Sequence, residues 1–309
     1  MIIWILGVVI VIGVVGALAL QYAISQNGPA VLSAVDRITG GSGDAVQLEL
    51  VSTGDHPQQK LTVWGPETQS DAPRPVLVFF HGGSWRSGDP EDYGFVARAF
   101  VERGFVVVLG GYRLDEAGKY PAMLEDTASV VGWTHREIAE HGGDPQRIVI
   151  AGHSAGAYNV VTAALDDKWL AAEGLAPSDI AGVIGMSGPY DFYPFDSDST
   201  IAAFGDAPDP KATQPIAHLR GDAPPMLFLH GEKDTTVFPR NSRLLTKELT
   251  ERGGEAQAVF YPEMDHSDPL ISLAAPWRSR RDLTDIMAEF AMALPASDTV
   301  SVPVQEESR

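Results

Sequence analysis

The stretch that decides the fold is Arg147–Gly156, with the sequence RIVIAGHSAG. Its first half is a short apolar run, typical of a strand that is buried on both faces of a sheet. Its second half has the pattern Gly-x-Ser-x-Gly, in which a serine lies on a sharp turn between strand and helix. Such a turn exposes the hydroxyl of Ser154 beside the first N–H groups of the helix. We therefore predict that Ser154 is a nucleophile, with a purely structural glycine-rich turn as the alternative.

Similar apolar runs lie on both sides of this stretch and alternate with helical patterns. The runs are at 76–80, 105–109, 180–186, 226–230 and 256–261, and the helical patterns are at 93–102, 121–140, 155–165, 240–252 and 283–292. Repeated alternation of strand and helix predicts a mostly parallel central sheet with helices on both faces, which is an α/β fold. Alternating residues at 46–51 and 60–64 predict an antiparallel hairpin ahead of it.

A second motif, HGGSW at residues 81–85, directly follows the apolar run 76–80. Its glycines let the backbone approach a bound substrate closely. Acyl transfer develops negative charge on a carbonyl oxygen, which two preorganised backbone N–H donors can stabilise. We predict that Gly83 and Ser84 from this loop, together with Ala155 after the nucleophile, form such an oxyanion hole. An ordinary turn is the alternative.

The base and its acid are expected after the nucleophile, because this arrangement has the chain order Ser, Asp or Glu, His. His266 is the only histidine after His230, so we predict that His266 is the base. Asp234 follows the end of a predicted strand, where catalytic loops gather in open sheets, and is predicted to orient the base. Glu232 is the closest alternative acid, whereas Asp265 is too near the base in sequence.

Four further motif residues are expected to support the site without reacting. Gly82, Gly152 and Gly156 permit close approach of backbone segments. His81 is predicted to be a structural hydrogen-bonding residue and not the base. The remaining histidines and acidic residues complete no known ligand set, so neither a metal nor a cofactor is expected.

The composition excludes several classes of function. With 22 basic and 41 acidic residues, the chain has a formal net charge of −19, which argues against nucleic-acid binding. The chain has no cysteine, and so no disulfide, thiolate nucleophile or cysteine-ligated metal. The oligomeric state is not predicted.

The N-terminus has the character of a membrane segment. Residues 2–20 contain no polar side chain, and the first charged residue is Asp36. That length nearly spans a bilayer core of about 30 Å. We predict a membrane anchor over 1–22, with a cleaved signal peptide as the alternative because Ala17-Leu18-Ala19 resembles a cleavage site. The charge pattern does not fix the orientation.

The rest of the chain divides around the predicted catalytic domain at 45–294. Residues 23–44 mix small and polar residues and are predicted to be a linker. Residues 188–225 are rich in Pro, Asp and Gly without clear periodicity, so a lid or cap over the pocket is expected there. Residues 295–309 are polar and predict a disordered tail.

Taken together, HGGSW, GHSAG, HGEKD and the Asp265-His266 pair resemble the HGG-type esterases of the α/β-hydrolase superfamily. That group includes hormone-sensitive-lipase-like esterases, acetyl-xylan and feruloyl esterases, and kynurenine formamidase-like enzymes. The resemblance covers roughly residues 45–292. Ser84 and His153 differ from the lipase-like branch, which has Gly and Asp at these positions, and favour the acetyl-esterase and formamidase branches.

The resemblance implies a cofactor-free serine esterase with an α/β-hydrolase fold. Its partner would be a small-molecule ester, with a short to medium acyl chain, cleaved through an acyl-enzyme. It also implies export, with the catalytic domain on the extracytoplasmic, or periplasmic, side of the membrane. Two alternatives remain: an arylformamidase or other amidase that uses the same residues, and an inactive, membrane-tethered binding module.

Overall fold

The molecule is organised around one eight-stranded sheet. The computed structural model describes residues 2–40, 43–68 and 72–297, excluding the side chains of residues 2–15 and 17. The strands are β1 (Ala45–Ser52), β2 (Lys60–Pro66), β3 (Arg74–Phe80), β4 (Val106–Gly110), β5 (Gly143–His153), β6 (Gly182–Met186), β7 (Met226–Gly231) and β8 (Ala256–Tyr261). Their order across the sheet is β1-β2-β4-β3-β5-β6-β7-β8. Strand β2 pairs antiparallel with β1 and β4, and the other pairs are parallel, which confirms the predicted α/β class.

Helices cover both faces of this sheet. They are α1 (Ile2–Thr39), α2 (Gly94–Val101), α3 (Ala122–Glu137), α4 (Ala155–Leu165), α5 (Lys168–Ala171), α6 (Asp198–Phe204), α7 (Arg240–Glu251), α8 (Asp268–Ile271) and α9 (Leu283–Ala293). Alternate residues of β3 point to opposite faces, so Val76 and Val78 join one core and Leu77 and Phe79 the other. Helices α3, α4 and α7 pack on the first core, and α2 and α9 pack on the second.

Helix α1 bends sharply at Asn27, which has non-helical backbone angles (φ −153°, ψ 83°). Pro29 follows, and its ring is tolerated because it lies in the first turn of the helix that restarts there. The side-chain oxygen of Asn27 accepts a hydrogen bond of 3.0 Å from the N–H of Ala30, as a helix N-cap does. The segment predicted to be a linker, 23–44, is therefore largely helical, and the sequence prediction differs from the structure here.

The second half of α1 is held to the domain by a buried ionic cluster. Asp36 is fully buried and accepts a 2.6 Å hydrogen bond from Nε of Arg98 and one of 2.7 Å from the N–H of Ala275. Arg278 lies 3.5 Å from the same carboxylate, and Arg98 also donates to Ser33. These partners satisfy a charge that burial would otherwise penalise heavily, which explains why this segment packs on the domain as a helix.

The predicted membrane anchor at 1–22 falls mostly on residues whose side chains lie outside the described part of the chain. Over the described residues, no helix combines the length and the apolar character needed to cross a membrane. The structure thus gives the transmembrane prediction no support, and the orientation stays a prediction. Most of the predicted tail, residues 298–309, lies outside the described residues.

Residues 188–225 pack against the domain through aromatic side chains. The ring centroid of Phe204, at the end of α6, lies 4.8 Å from that of Trp85 and 5.1 Å from that of Tyr158. Phe192 also stacks within 6.1 Å of Trp85. The hydroxyl of Tyr158 donates a 2.7 Å hydrogen bond to the carbonyl of Thr213, so the segment is fixed at both its start and its middle.

Replacing Arg98 with Met should lower the free energy of unfolding by about 3–5 kcal/mol, because it leaves the carboxylate of Asp36 buried without its main partner. Urea unfolding of the folded chain measures this loss. The matched control is Arg103→Met, which removes a surface ion pair with Asp285 and should cost about 1 kcal/mol or less. Equal losses of unfolding free energy in the two variants would show that the buried pairing of Asp36 with Arg98 stabilises the fold no more than a surface ion pair does.

Candidate active site

The predicted nucleophile lies on a strained turn between β5 and α4. Ser154 has φ 54° and ψ −117°, and its N–H donates a 2.8 Å hydrogen bond to the carbonyl of Met186. A Cβ on Gly152 would lie 2.3 Å from the backbone of Gly156, and one on Gly156 would lie 2.2 Å from the carbonyl oxygen of Phe80. Only glycine fits at these two positions, which is the physical reason for the Gly-x-Ser-x-Gly pattern.

The structure brings together the three side chains predicted as nucleophile, base and acid. Nε2 of His266 lies 2.9 Å from Oγ of Ser154, and Nδ1 of His266 lies 2.8 Å from Oδ2 of Asp234. An ionised carboxylate only accepts hydrogen bonds, so Nδ1 carries the proton and Nε2 is left to accept one from the serine. This is the geometry in which an imidazole can act as a general base.

The carboxylate of Asp234 is fully buried and surrounded by donors. Its Oδ1 accepts hydrogen bonds of 2.9 Å from the N–H groups of both Thr236 and Val237. Burial raises the pKa of Asp234, but hydrogen bonds from His230 and His266 outweigh this effect, and the net pKa lies below its ordinary value. The acid therefore stays ionised and holds the proton on Nδ1 of the base.

His230 is a site residue that the sequence reasoning missed. Its Nε2 donates to the carbonyl of Val237 at 2.8 Å and lies 3.2 Å from Oδ2 of Asp234. Because a carbonyl only accepts, the proton lies on Nε2, and Nδ1 lies 2.7 Å from the hydroxyl of Ser242, which can donate to it. The signal in the sequence was the spacing of four between His230 and Asp234 in HGEKD, on the loop that follows β7.

The alternative acids have other roles. Glu232 is partly exposed and pairs with Arg243. Asp265 accepts hydrogen bonds from the N–H groups of Ser267 and Asp268, so it shapes the loop that carries the base. Among the residues that the structure describes, no group of three His, Asp or Glu side chains is arranged to hold a metal ion.

The predicted oxyanion loop has left-handed backbone at three successive residues. Gly83, Ser84 and Trp85 have φ of 120°, 56° and 57°. A Cβ on Gly83 would lie 1.9 Å from the carbonyl oxygen of Ser87, so this position requires glycine. Within the described part of the chain, the N–H groups of Gly83, Ser84 and Ala155 donate to no protein acceptor. They are thus free to bind an oxyanion.

Two other motif residues hold this loop in place. A Cβ on Gly82 would lie 3.1 Å from Cβ of Ser154, which shows how closely the loop passes the nucleophile. The ring of His81 stacks on that of Tyr112 at 4.6 Å, and the Tyr112 hydroxyl donates to the carbonyl of His81 at 2.9 Å. Burial lowers the pKa of His81 to about 4, so it is neutral at physiological pH. The imidazole within hydrogen-bond distance of Ser154 is that of His266.

His153, just before the nucleophile, positions the base. Its Nε2 donates a 2.9 Å hydrogen bond to the carbonyl oxygen of His266, and the two rings lie 5.0 Å apart. Burial, followed by repulsion from His266, lowers the pKa of His153 to about 3. A neutral His153 can thus hold the backbone of the base without adding a charge beside it.

The nucleophile opens into a cavity of about 570 Å³. Its walls come from the oxyanion loop, the loop of the base and residues 25–29 at the bend of α1. Asn27 also donates a 2.7 Å hydrogen bond to Asp92, another lining residue. Of the described residues, none in 188–225 lines this cavity, because the aromatic contacts fix that segment elsewhere. The bend of α1 lies beside Ser154, where the sequence placed a lid formed by residues 188–225.

Residues 61–249, more than half of the chain, match the family named BD-FAE. The chain belongs to this family. Among curated relatives, it is 32% identical to Esterase LipQ of Mycobacterium tuberculosis over 238 residues, which is 71% of this chain and 56% of that protein. It is 27% identical to isoprenylcysteine alpha-carbonyl methylesterase ICME of Arabidopsis thaliana over 252 residues, 74% of this chain and 58% of that protein. The chain therefore spans less than two thirds of either relative.

Solved structures share the fold. A truncated form of a carbohydrate esterase from gut microbiota superposes with a TM-score of 0.68 at 20% identity, covering 80% of this chain and 96% of that one. The apo form of Thermogutta terrifontis esterase 2 gives a TM-score of 0.66 at 23% identity, covering 79% and 93%. With the sheet order and the turn at Ser154, these likenesses identify an α/β-hydrolase fold.

Replacing Asp234 with Asn should lower kcat for ester cleavage on the order of 10⁴-fold, because an amide can donate to Nδ1 and favour the wrong tautomer of His266. Steady-state kinetics with p-nitrophenyl acetate measure this loss. The control is Glu232→Gln, on the same loop but paired with Arg243, which should change the rate by about twofold at most. A larger loss of kcat in Glu232→Gln than in Asp234→Asn would show that Glu232, and not Asp234, orients His266.

The low pKa of His153 predicts how stability depends on pH. An unfolded histidine has a pKa of 6.5, so the unfolded chain binds more protons than the folded one between pH 6.5 and about 3. The contribution of neutral His153 is complete above pH 6.5 and is lost progressively as the pH falls. His153→Gln should flatten this acid slope by up to one proton, or about 1.4 kcal/mol per pH unit. Urea unfolding across this range tests it, and an unchanged slope would show that His153 does not titrate in this way.

Proposed function

We propose that the protein is a serine hydrolase that cleaves carboxylic esters through an acyl-enzyme intermediate. One observation carries the proposal: Ser154, His266 and Asp234 form an unbroken hydrogen-bonded chain at the mouth of a cavity. Gly83 and Ser84 of the oxyanion loop line the same cavity, and within the described residues their N–H groups donate to no acceptor. The names of the curated relatives, two of which are esterases, support the same class of reaction.

In the first half of the reaction, Oγ of Ser154 attacks the carbonyl carbon while Nε2 of His266 takes the hydroxyl proton. The carbonyl oxygen becomes an oxyanion, which the N–H groups of Gly83, Ser84 and Ala155 stabilise. When this intermediate collapses, the bond between carbon and the leaving oxygen breaks. His266 gives its proton to that oxygen, and the alcohol departs.

In the second half, a water molecule replaces the alcohol. His266 takes a proton from the water as its oxygen attacks the acyl carbon, and the same N–H groups stabilise the second oxyanion. Collapse breaks the bond to Oγ of Ser154, which receives the proton from His266. The carboxylic acid leaves, and the site is restored without a cofactor. Asp234 stays ionised throughout and stabilises the imidazolium that forms twice in each cycle.

Ser154→Ala should lower kcat for p-nitrophenyl acetate on the order of 10⁶-fold and abolish labelling by a fluorophosphonate probe, because no hydroxyl remains to be acylated or phosphonylated. The matched control is Ser87→Ala, which removes another hydroxyl lining the same cavity and should keep the rate within about twofold. N-formylkynurenine, assayed alongside, tests amide cleavage. Full turnover by Ser154→Ala would end the proposal.

A further inference from the structure

A second cavity, of about 470 Å³, lies beside the first, between the two halves of α1 and the region around α8. We call it the apolar groove. Its walls include Leu20 and Ile24 before the bend, Val31 after it, and Ile271 and Trp277 opposite. Of the described side chains that line it, only Ser267 carries a hydroxyl and none is charged.

The apolar groove adjoins the cavity of the nucleophile. Gly28, Pro29, Ser267 and Leu270 line both cavities. Ser267 directly follows the base, His266, in sequence. A chain attached to the scissile ester at Ser154 can therefore pass the bend of α1 and continue along apolar walls.

The two apolar side chains that line the groove before the bend of α1 are largely exposed to solvent. Leu20 is 52% exposed and Ile24 is 51% exposed, although both line the concave surface. Single exposed apolar residues are ordinary, but a concave and contiguous group of them beside a reactive site is typical of a ligand-binding groove.

We propose that the apolar groove binds an aliphatic chain of the ester substrate, so that the preferred substrates are esters with a long, apolar chain. This inference rests on the proposed ester hydrolysis. It departs from the short to medium acyl chains that the sequence resemblance implies. The chain can belong either to the acid or to the alcohol of the ester, since both are attached to the reacting carbonyl group.

The test uses the full chain in one fixed detergent buffer and two series of substrates. One series extends the acid, from p-nitrophenyl acetate to p-nitrophenyl dodecanoate, and the other extends the alcohol, from ethyl to dodecyl acetate. In the series that enters the groove, kcat/KM should rise about two- to fourfold per added methylene until the groove is full, because each buried methylene contributes binding energy. The other series should be nearly flat.

The decisive variant is Ile24→Asn, which places a polar group in the groove at a partly exposed position away from the reacting residues. It should lower kcat/KM for the long esters at least about fivefold and leave acetate esters within about twofold of wild type. Ile38→Asn, the same change on the same helix at an 84% exposed residue outside the groove, should match wild type for every ester. Taking the ratio of variant to wild type at each length cancels partitioning into micelles.

The outcomes separate this inference from the proposed function. Absence of turnover for every ester, with no fluorophosphonate labelling of Ser154, would remove the proposed function itself. Turnover of acetate esters without a gain in either series would overturn the groove as a substrate site alone. A chain-length gain that Ile24→Asn leaves intact would do the same. If Ile24→Asn instead weakens binding to phosphatidylcholine vesicles or self-association and leaves chain-length preference unchanged, a bilayer or a second copy occupies the groove, and the inference is wrong.

Discussion

The left-handed backbone at Ser154 is the constraint on which the rest of the site depends. A serine at φ 54° pays about 1–3 kcal/mol of strain, and it persists only where its surroundings fix it. Here the start of α4 lies so close to the ends of β5 and β3 that Gly152 and Gly156 have no room for a Cβ, and this packing fixes the turn. The same approach brings the oxyanion loop after β3 against the nucleophile. One backbone conformation thus sets the positions of both the Ser154 hydroxyl and the N–H groups that we propose bind the oxyanion.

The base is oriented by a second constraint, the burial of a carboxylate that must remain ionised. Asp234 accepts from two backbone N–H groups and from His266, and Nε2 of His230 lies 3.2 Å from its Oδ2. Because that charge is fixed, His266 is fixed in one tautomer, and its free nitrogen faces the serine. His230 and His153 extend the arrangement: one supports the acid and the other holds the backbone of the base. Both are held by carbonyl or hydroxyl partners that define where their protons lie.

The sequence predicted the parts of this molecule that local patterns govern. Short runs rich in β-branched and aromatic residues, such as VLVFF and RIVIA, are typical of central strands. Ser154, Asp234 and His266 follow strands whose carboxyl ends meet at one edge of the sheet, so their convergence could be predicted. The parts that were missed depend on contacts between distant residues. Nothing near Asp36 in the sequence indicates that Arg98 and Arg278 will surround it, so the sequence predicts a linker over residues 23–44. Likewise, the Pro- and Gly-rich composition of 188–225 is typical of a mobile lid, yet the edge-to-face contact of Phe204 with Trp85 fixes it away from the cavity.

The N-terminal helix α1 therefore forms part of the wall of the cavity at Ser154. The buried pairing of Asp36 fixes the second half of α1, and the N-cap at Asn27 fixes the direction of the bend that precedes it. Asn27 in turn donates to Asp92 across the cavity, so the bend is held on the side of the reacting residues as well. The bend has a polar side facing the nucleophile and an apolar side facing Leu270 and Trp277. In the arrangement that we propose, an ester bound at Ser154 contacts surfaces of opposite character on the two sides of this bend, which is a physical basis for selecting one part of the ester from the other.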